Sequence, residues 1–410
     1  MSIAAAWRHR IMFYRSAANI RLLPAVLYVA LAACDIWAVE HGNAFGLFAV
    51  LGQAMAVYWI ARFRMRTPRG AVSWGERYKP LPDYLKDDKI QAAAKIVPGT
   101  RASARVRGRL TSPVVLVSTH TALAWEGNPR ARDVQWAHES AHIGMGDAFV
   151  YYVMSTAVGL ALFNQLMGNW RSISNEFVLA AMAFIALISM RAYCRAKELA
   201  ADSVSAGILG GKTSKEELAR SVILDANRIP FVRTHPSVGE RLAVLEDPAA
   251  MLNGAAFFYF ASGFMAVSVA IALHRVLHEW DTGKSSVFAS LAIISLVIGW
   301  LTSRHSAMAS LISPTRRWLT LFLMLSTGEL SSFVMHDPSL VRTHHFLVVV
   351  GWSILVSALA ALMGKVAALA GRFIVVIGST AADPLLRVIP CLRIVTCILA
   401  AATWIVPWFV

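Results

Sequence analysis

Apolar runs long enough to cross a bilayer recur along the chain, and this pattern predicts a polytopic, mainly α-helical membrane protein. A helix needs about 20 predominantly apolar residues to span the hydrocarbon region. The candidate runs are residues 22–39, 44–61, 148–167, 177–192, 255–273, 287–301, 318–335, 346–369 and 394–410. We therefore predict about nine spans. Residues 373–382 form a shorter apolar run, which we expect at the membrane interface.

Two polar blocks, residues 62–146 and 193–253, interrupt the apolar runs and are rich in Lys and Arg. They divide the chain into three predicted parts. Residues 1–61 form a basic flank and two membrane helices, and residues 62–253 form a domain interrupted by a membrane hairpin at about 148–192. Residues 254–410 form a module of about five helices with no assigned function. Because basic loops stay in the cytoplasm, the N-terminus and both blocks are expected there and the C-terminus outside.

Composition supports a membrane protein and limits its partners. Of the 410 residues, 57% are apolar and 15% are charged, whereas soluble domains have about 25% charged residues. The net charge is +15. Since the basic residues flank apolar runs and no nucleic-acid-binding motif is found, we expect anionic lipids rather than nucleic acid as the partner of this charge.

The first polar block ends in the sequence His138-Glu139-Ser140-Ala141-His142. On a helix, residues four apart share a face, so both histidines can bind one Zn²⁺ ion. Glu139 would lie beside the metal and could take a proton from a water molecule there. The ordinary alternative is a helix end with two histidines near the membrane surface.

The second polar block supplies candidates for the rest of a metal site. A catalytic zinc needs a third protein ligand, which Glu198 can provide, and Asp202 could hydrogen-bond one of the histidine ligands. Glu198 and Asp202 could equally be a solvated helix face. Further on, His235 and Arg241 are donors that could stabilise an oxyanion, or part of a surface turn that begins at Pro236.

Three segments together resemble the M48 metallopeptidases. They are HESAHIGMGD at residues 138–147, ELAAD at 198–202, and THPS at 234–237 followed by Arg241-Leu242. The order, spacing and hydropathy pattern are most similar to the HtpX-like branch, and more distantly to the CAAX prenyl endopeptidases. The resemblance covers roughly residues 20–247.

The resemblance implies a gluzincin-type zinc endopeptidase with a small β element. It would lie at the cytoplasmic face of a multi-pass protein, in the bacterial inner membrane. One Zn²⁺ per chain would be held by His138, His142 and Glu198, with Glu139 as general base. His235 and Arg241 would act on the transition state, and Asp202 would support a metal ligand. Substrates would be membrane or membrane-associated proteins.

The sequence departs from the family pattern in places. Ala141 replaces a glycine found in some relatives, and the family's asparagine-containing segment is not obvious upstream. The β-branched run Val114-Val115-Leu116-Val117-Ser118 is a candidate substitute. It could be an edge strand that pairs with a substrate backbone, or a purely structural strand.

The C-terminal part, residues 254–410, goes beyond what the resemblance covers. Glu329 lies inside one of its apolar runs and His336 at the end of the same run. Ionisable residues within a membrane are functional candidates, and a capped polar group near the interface is the alternative. This part could recruit substrate, form a dimer surface or wall a chamber.

Three functions are compatible with these patterns. The first is a zinc endopeptidase of broad specificity. The second is a gated signalling protease with one dedicated substrate, and the third is a transporter or scaffold that keeps a zinc site. The intact Glu139 argues against the third, because a relic needs no general base. The oligomeric state is not predicted.

Overall fold

The computed structural model describes residues 3–39, 44–68, 70–73, 93–99, 104–109, 112–167, 176–220, 235–278 and 317–336, with Gly351 and Ile354 as isolated positions. The chain divides into two compact units. Unit 1 contains residues 1–18, 56–156 and 191–251, and unit 2 contains residues 19–55, 157–190 and 252–410. The three-part division predicted from composition stays a prediction.

Most of the described residues are helical. In chain order the helices are α1 (Ile3–Val39), α2 (Ala44–Arg64), α3 (Thr119–Gly127), α4 (Pro129–Met145), α5 (Asp147–Leu166), α6 (Glu176–Leu209), α7 (Gly211–Arg220), α8 (Val238–Glu246), α9 (Ala255–His278) and α10 (Arg317–His336). A 3-10 turn at Pro248–Leu252 precedes α9.

Five described helices are long and apolar enough to span a membrane. The candidate spans are Ala17–Trp37, Gly46–Arg64, Asp147–Leu166, Glu176–Gly207 and Ala250–His274. They overlap the first five spans expected from hydropathy with somewhat different bounds, and the expected span 318–335 lies within α10. The expected runs at 287–301, 373–382 and 394–410, and nearly all of 346–369, lie outside the described residues.

The helix that contains the fourth apolar run continues beyond the end of that run. The expected membrane span ends at residue 192, but α6 continues without interruption to Leu209. No proline breaks the segment, and its polar part is rich in good helix formers such as Ala, Lys, Glu and Leu. One continuous helix therefore joins a membrane-length segment to Glu198 and Asp202.

A four-stranded sheet contains the strands β1 (Val72–Ser73), β2 (Ala93–Val97), β3 (Ala104–Arg109) and β4 (Ser112–Ser118), in the order β1-β2-β4-β3. The β2–β4 pair is parallel, whereas β1–β2 and β3–β4 are antiparallel.

The expectation that residues 114–118 form an edge strand is wrong. Val114 to Ser118 pair with Ala93 to Val97 on one side. On the other side, Val114 to Val117 pair with Arg107 to Ala104. Residues 114–117 therefore have a neighbouring strand on both sides, so the segment is not a sheet edge to which a substrate could add. Hydrophobic pattern alone cannot distinguish the two positions, because a run of β-branched residues suits an inner strand as well as an edge.

The sheet supports α3 and α4 through an apolar core. Alternation along β4 directs Val115 and Val117 to one face. There they pack with Ile96 of β2 and with Trp125 and Trp136 of the two helices. Burial of each large side chain stabilises the fold by about 1.5–3 kcal/mol. This core fixes the orientation of α4, which carries the HExxH sequence.

Defined ends set the limits of α4. The Asn128 side chain caps the helix by accepting the Ala131 N–H at 3.2 Å, and Pro129 occupies its first turn. At the other end, Gly146 adopts a left-handed conformation with φ of 69°, which glycine adopts without steric penalty. The chain then re-enters a helix at Asp147, five residues beyond His142.

In unit 2, α9 and α10 pack at close range. A Cβ atom at Gly263 would collide with the carbonyl oxygen of Leu325, and one at Gly328 with that of Phe260. The Ser268 and Ser332 hydroxyls hydrogen-bond across the pair at 3.2 Å. Glu329, singled out from its position in an apolar run, is buried.

Candidate active site

Helices α4 and α6 bring the two predicted metal-binding segments together within unit 1. The Nε2 atoms of His138 and His142 lie 3.1 Å apart. Glu198 places Oε2 at 3.5 Å from His138 Nε2 and Oε1 at 3.4 Å from His142 Nε2. Among the described residues, these three form the group of side chains able to hold a metal ion.

The spacing of the three side chains fits a tetrahedral zinc ion. Zinc binds nitrogen and oxygen ligands at about 2.0–2.1 Å, so neighbouring ligands of a tetrahedron lie about 3.3 Å apart. The observed separations of 3.1, 3.4 and 3.5 Å are close to that value. Two histidines and one glutamate also leave a fourth position for water or substrate, as in catalytic zinc sites.

A carboxylate holds each histidine from the side opposite the metal position. Asp202 Oδ1 lies 2.9 Å from His138 Nδ1, and Asp147 Oδ2 lies 3.0 Å from His142 Nδ1. Because an ionised carboxylate only accepts hydrogen bonds, each Nδ1–H is the donor. Each Nε2 lone pair is then free for the metal, and the orientation of both rings is fixed.

Basic side chains in turn anchor these two carboxylates. Arg241 of α8 donates from Nε to Asp202 Oδ2 and from Nη2 to Asp202 Oδ1, both at 2.6 Å. Lys197 Nζ lies 2.5 Å from Asp147 Oδ1. The sequence pattern predicts a supporting role for Asp202 but none for Asp147 or Lys197. In the sequence, Asp147 ends the HESAHIGMGD segment and Lys197 directly precedes Glu198, which was the available indication of a role. Their contact with each other is seen only in the folded structure.

His235 and Arg241 both lie at the site, in different places. His235 Nδ1 is 3.1 Å from Glu198 Oε2, and its side chain is 61% exposed. Arg241 contacts Asp202, behind His138, and its predicted action on the transition state stays a prediction. Thr234 lies outside the described residues. Ser237 caps α8 through a capping box with Glu240, which positions Arg241 one turn into that helix.

Glu139, the predicted general base, is buried at 3% exposure. Its Oε1 accepts a hydrogen bond from Gln135 Nε2 at 2.9 Å, one turn earlier on α4. Gln135 was not expected to contribute. This bond holds one oxygen of the carboxylate and so limits the orientation of the side chain.

Both histidines are electrostatically tuned by the surrounding acids. Burial lowers the pKa of His138, but hydrogen bonds to Asp202 and Glu198 outweigh this and raise it to about 9. Burial also lowers the pKa of His142, but hydrogen bonds to Asp147 and Glu198 outweigh this effect and raise the pKa well above its usual value. A concentration of negative charge therefore faces both rings, and it favours a cation between them.

Comparison with known proteins connects this geometry to an enzyme family. Residues 95–249 match the model of peptidase family M48. No curated protein and no solved structure matches the chain. The matched region runs from β2 to the 3-10 turn before α9 and contains every residue of the site.

The match supports the M48 family for this region. M48 peptidases are metalloproteases that typically use zinc, and the His138–His142–Glu198 cluster is compatible with such a metal. A protease that depends on a metal is thus supported by two independent observations, the family match and the convergence of three ligand atoms.

A cavity of about 290 Å³ adjoins the site. It lies within unit 1, where α4, α6, α7 and α8 line it with the end of α3. His138, Asp202 and Arg241 belong to its wall, as does Gln135. Because its wall includes a candidate metal ligand and the hydrogen-bond partner of Glu139, the cavity is a candidate part of a substrate site.

Proposed function

We propose that the chain is a membrane-embedded zinc endopeptidase that hydrolyses membrane or membrane-associated proteins. The observation that carries the proposal is the cluster of His138, His142 and Glu198, in which a separate carboxylate holds each histidine. A chance pair of histidines on a helix would not have both Nδ1 atoms anchored so that both Nε2 atoms converge.

In this proposal, three side chains from two helices bind one zinc ion per chain. His138 and His142 provide neutral nitrogen donors from consecutive turns of α4, and Glu198 adds a negative charge from α6. When bound, zinc supplies a Lewis acid that polarises a carbonyl and makes a coordinated water more acidic.

Glu139 performs the proton transfers. In this proposal its carboxylate takes a proton from the attacking water and later delivers one to the leaving amine, so the peptide bond is hydrolysed without net change in the enzyme. Gln135 holds one carboxylate oxygen, which fixes the direction in which the other acts. Burial at 3% exposure keeps competing water away from this base.

His235 is the proposed electrophilic residue. It is exposed and lies 3.1 Å from Glu198, so it can reach a substrate carbonyl on the open side of the site. Arg241 is bound to Asp202 through two hydrogen bonds. Its first task is therefore to position Asp202 and, through it, His138.

The substrate backbone would pair with β3 rather than with β4. Strand β3 is at the end of the described sheet order and packs against α4. An extended peptide added there would lie along the helix that carries the metal ligands. Pairing through backbone groups selects weakly for sequence, which suits a protease with many substrates.

The branch and the orientation are also part of the proposal. Two membrane-length helices precede α4, and the α5–α6 pair separates His142 from Glu198, as the HtpX-like resemblance implies. The basic polar blocks favour an active site on the cytoplasmic side of a bacterial inner membrane, where anionic lipids would contact the Lys and Arg residues.

A paired measurement on detergent-purified protein tests the proposal. We expect one zinc per chain and cleavage of unfolded casein by the unmodified protein. Glu139→Gln should keep the zinc and lose activity by about 100-fold or more, whereas Glu198→Ala should lose the zinc. Absence of zinc after purification without chelator would refute the proposal, as would equal cleavage by Glu139→Gln.

A further inference from the structure

The four strands of the sheet carry charges of one sign only. Their sequences contain no Asp or Glu, and their basic residues are Lys95, Arg105, Arg107 and Arg109. The register places Lys95 and Arg105 on either side of Leu116, in one row across the sheet. Because alternate residues of a strand share a face, Arg107 points to the same side as Arg105. The sheet therefore has one basic face.

This basic face lies opposite the apolar core. Val106, between Arg105 and Arg107, packs against the core to which α3 and α4 contribute, so the two arginines point away from both helices. Arg105 is exposed, and Lys95 and Arg107 are half-buried. Leu116, between Lys95 and Arg105, is buried. The accessible part of this face is therefore its basic side chains rather than apolar surface.

No ion pair neutralises these charges within the part of the chain that the structure describes. Lys95 and Arg105 make no ion pair or side-chain hydrogen bond there. Arg107 donates from Nη1 to a neutral acceptor, the Arg66 carbonyl oxygen, at 3.4 Å, and its Nε–H has no acceptor among the described residues. Charges on edge strands prevent aggregation, but Lys95 lies on the inner strand β2, and charges of either sign would serve that purpose. The face is instead suited to an anionic partner.

The contact between Arg107 and Arg66 places the basic face beside the end of a membrane-length helix. Arg66 is two residues beyond the end of α2 at Arg64. Near that end, Trp59 is exposed and the Arg62 guanidinium lies over its ring at 5.0 Å. Trp and basic side chains are typical of the interface where lipid headgroups lie. These residues all belong to unit 1, so the nearest large source of negative charge is the membrane that α2 enters.

We propose that the basic face of the sheet binds the anionic headgroups of this membrane, with Lys95, Arg105 and Arg107 contacting lipid phosphate. Within the described part of the two basic polar blocks, the fold gathers these three residues on one face. Bound headgroups would hold the sheet, and with it β3 and α4, at the membrane surface, where segments of membrane proteins emerge. The proposal depends on the membrane location proposed above and not on hydrolysis.

The test measures lipid binding by the full-length protein in a mild detergent. Native mass spectrometry gives the apparent affinity for phosphatidylglycerol and for phosphatidylcholine with the same acyl chains, and the ratio of the two affinities isolates the effect of headgroup charge. The variants are Lys95→Gln, Arg105→Gln and Arg107→Gln. The matched control is Arg130→Gln, which removes an exposed positive charge from α4, a helix that packs on the opposite face of the sheet. Thermal transitions and zinc content are measured for each protein, and glycerol 3-phosphate is added as a competitor.

We expect the unmodified protein to prefer phosphatidylglycerol, and added salt should reduce this preference because it screens the charges. A basic residue near an anionic lipid surface contributes a factor of about five in affinity. Each of the three variants should therefore lower the ratio by about fivefold, whereas Arg130→Gln should keep it. If substitution of a half-buried residue prevents folding, Arg105→Gln still decides the result, because that side chain is exposed. Glycerol 3-phosphate should not displace the lipid.

Three results would overturn the lipid-binding face. Equal ratios for Arg105→Gln and Arg130→Gln would show that the face does not meet headgroups. Displacement of phosphatidylglycerol by glycerol 3-phosphate would indicate a site for a soluble phosphate compound. A ratio that Arg105→Gln leaves unchanged, together with altered cleavage of peptides rich in acidic residues, would assign the face to substrate binding. A protein that shows the expected ratios but binds no zinc or cuts no casein would refute the proposed hydrolysis and leave the lipid-binding face intact.

Discussion

Substitution of Asp202 by Asn tests whether the hydrogen bond from His138 to Asp202 strengthens the proposed binding of zinc by His138. Asp202 accepts the His138 Nδ1–H at 2.9 Å and two hydrogen bonds from Arg241 at 2.6 Å. Asn has nearly the same shape but no charge, and its amide nitrogen cannot accept a hydrogen bond. The variant therefore keeps at most one acceptor, and Arg241 and His138 compete for it.

The expected consequence is weaker zinc binding. A carboxylate behind a histidine ligand makes the ring more basic, and its loss typically lowers metal affinity by about 10–100-fold. That range corresponds to about 1.4–2.7 kcal/mol. We expect the upper part of the range, because Asp202 is 7% exposed and Arg241 would lose the charge of the carboxylate to which it donates two hydrogen bonds.

Competition with a chromogenic chelator at pH 7 measures this affinity directly. The matched control is Asp133→Asn, on the same helix as the histidines, where the carboxylate pairs locally with Arg132. It should bind zinc as tightly as the unmodified protein. If Asp202→Asn binds zinc within about threefold of that control while its thermal transition is unchanged, the reasoning that Asp202 supports the metal ligand is refuted.

Two further predictions follow from the same structure. Because the pKa of His138 is raised to about 9 and that of His142 is raised well above its usual value, zinc must displace protons from the rings at neutral pH. Apparent zinc affinity should therefore rise with pH towards about 9, and chelator competition from pH 6 to 9 would contradict this if affinity were flat or falling. At the α9–α10 contact, Gly263→Ala should lower the stability of the detergent-solubilised protein by about 1–3 kcal/mol because the new methyl group overpacks against the Leu325 carbonyl. Gly159→Ala, in a helix with open space around the site, should not lower it, and equal thermal transitions in the two variants would show that the close contact is not formed.

Several features of this protein follow from the local sequence alone and do not depend on tertiary contacts. His138 and His142 face the same way because four residues complete about one turn of a helix. The membrane-length helices follow from apolar runs of about 20 residues, since an unpaired backbone cannot cross lipid. The proposed role of Glu139 as general base follows from its place in the sequence beside a proposed metal ligand. These are properties of local period and residue type, and both can be read from the sequence.

Other features depended on which distant segments meet. The strand at residues 114–118 is internal because β2 and β3 pair with it from both sides, and no local pattern states how many neighbours a strand has. The sequence could not show that Asp147 pairs with Lys197 and holds His142, since α5 and α6 must first bring them together. Likewise, Ser214 and Glu217 are unremarkable residues of a polar helix until α7 packs against α4 and turns them into a cavity wall. The sequence thus determines which side chains are able to bind a metal or transfer a proton. Tertiary contacts decide which partners orient those side chains, because the energies of these contacts arise only when segments far apart in the chain are brought together.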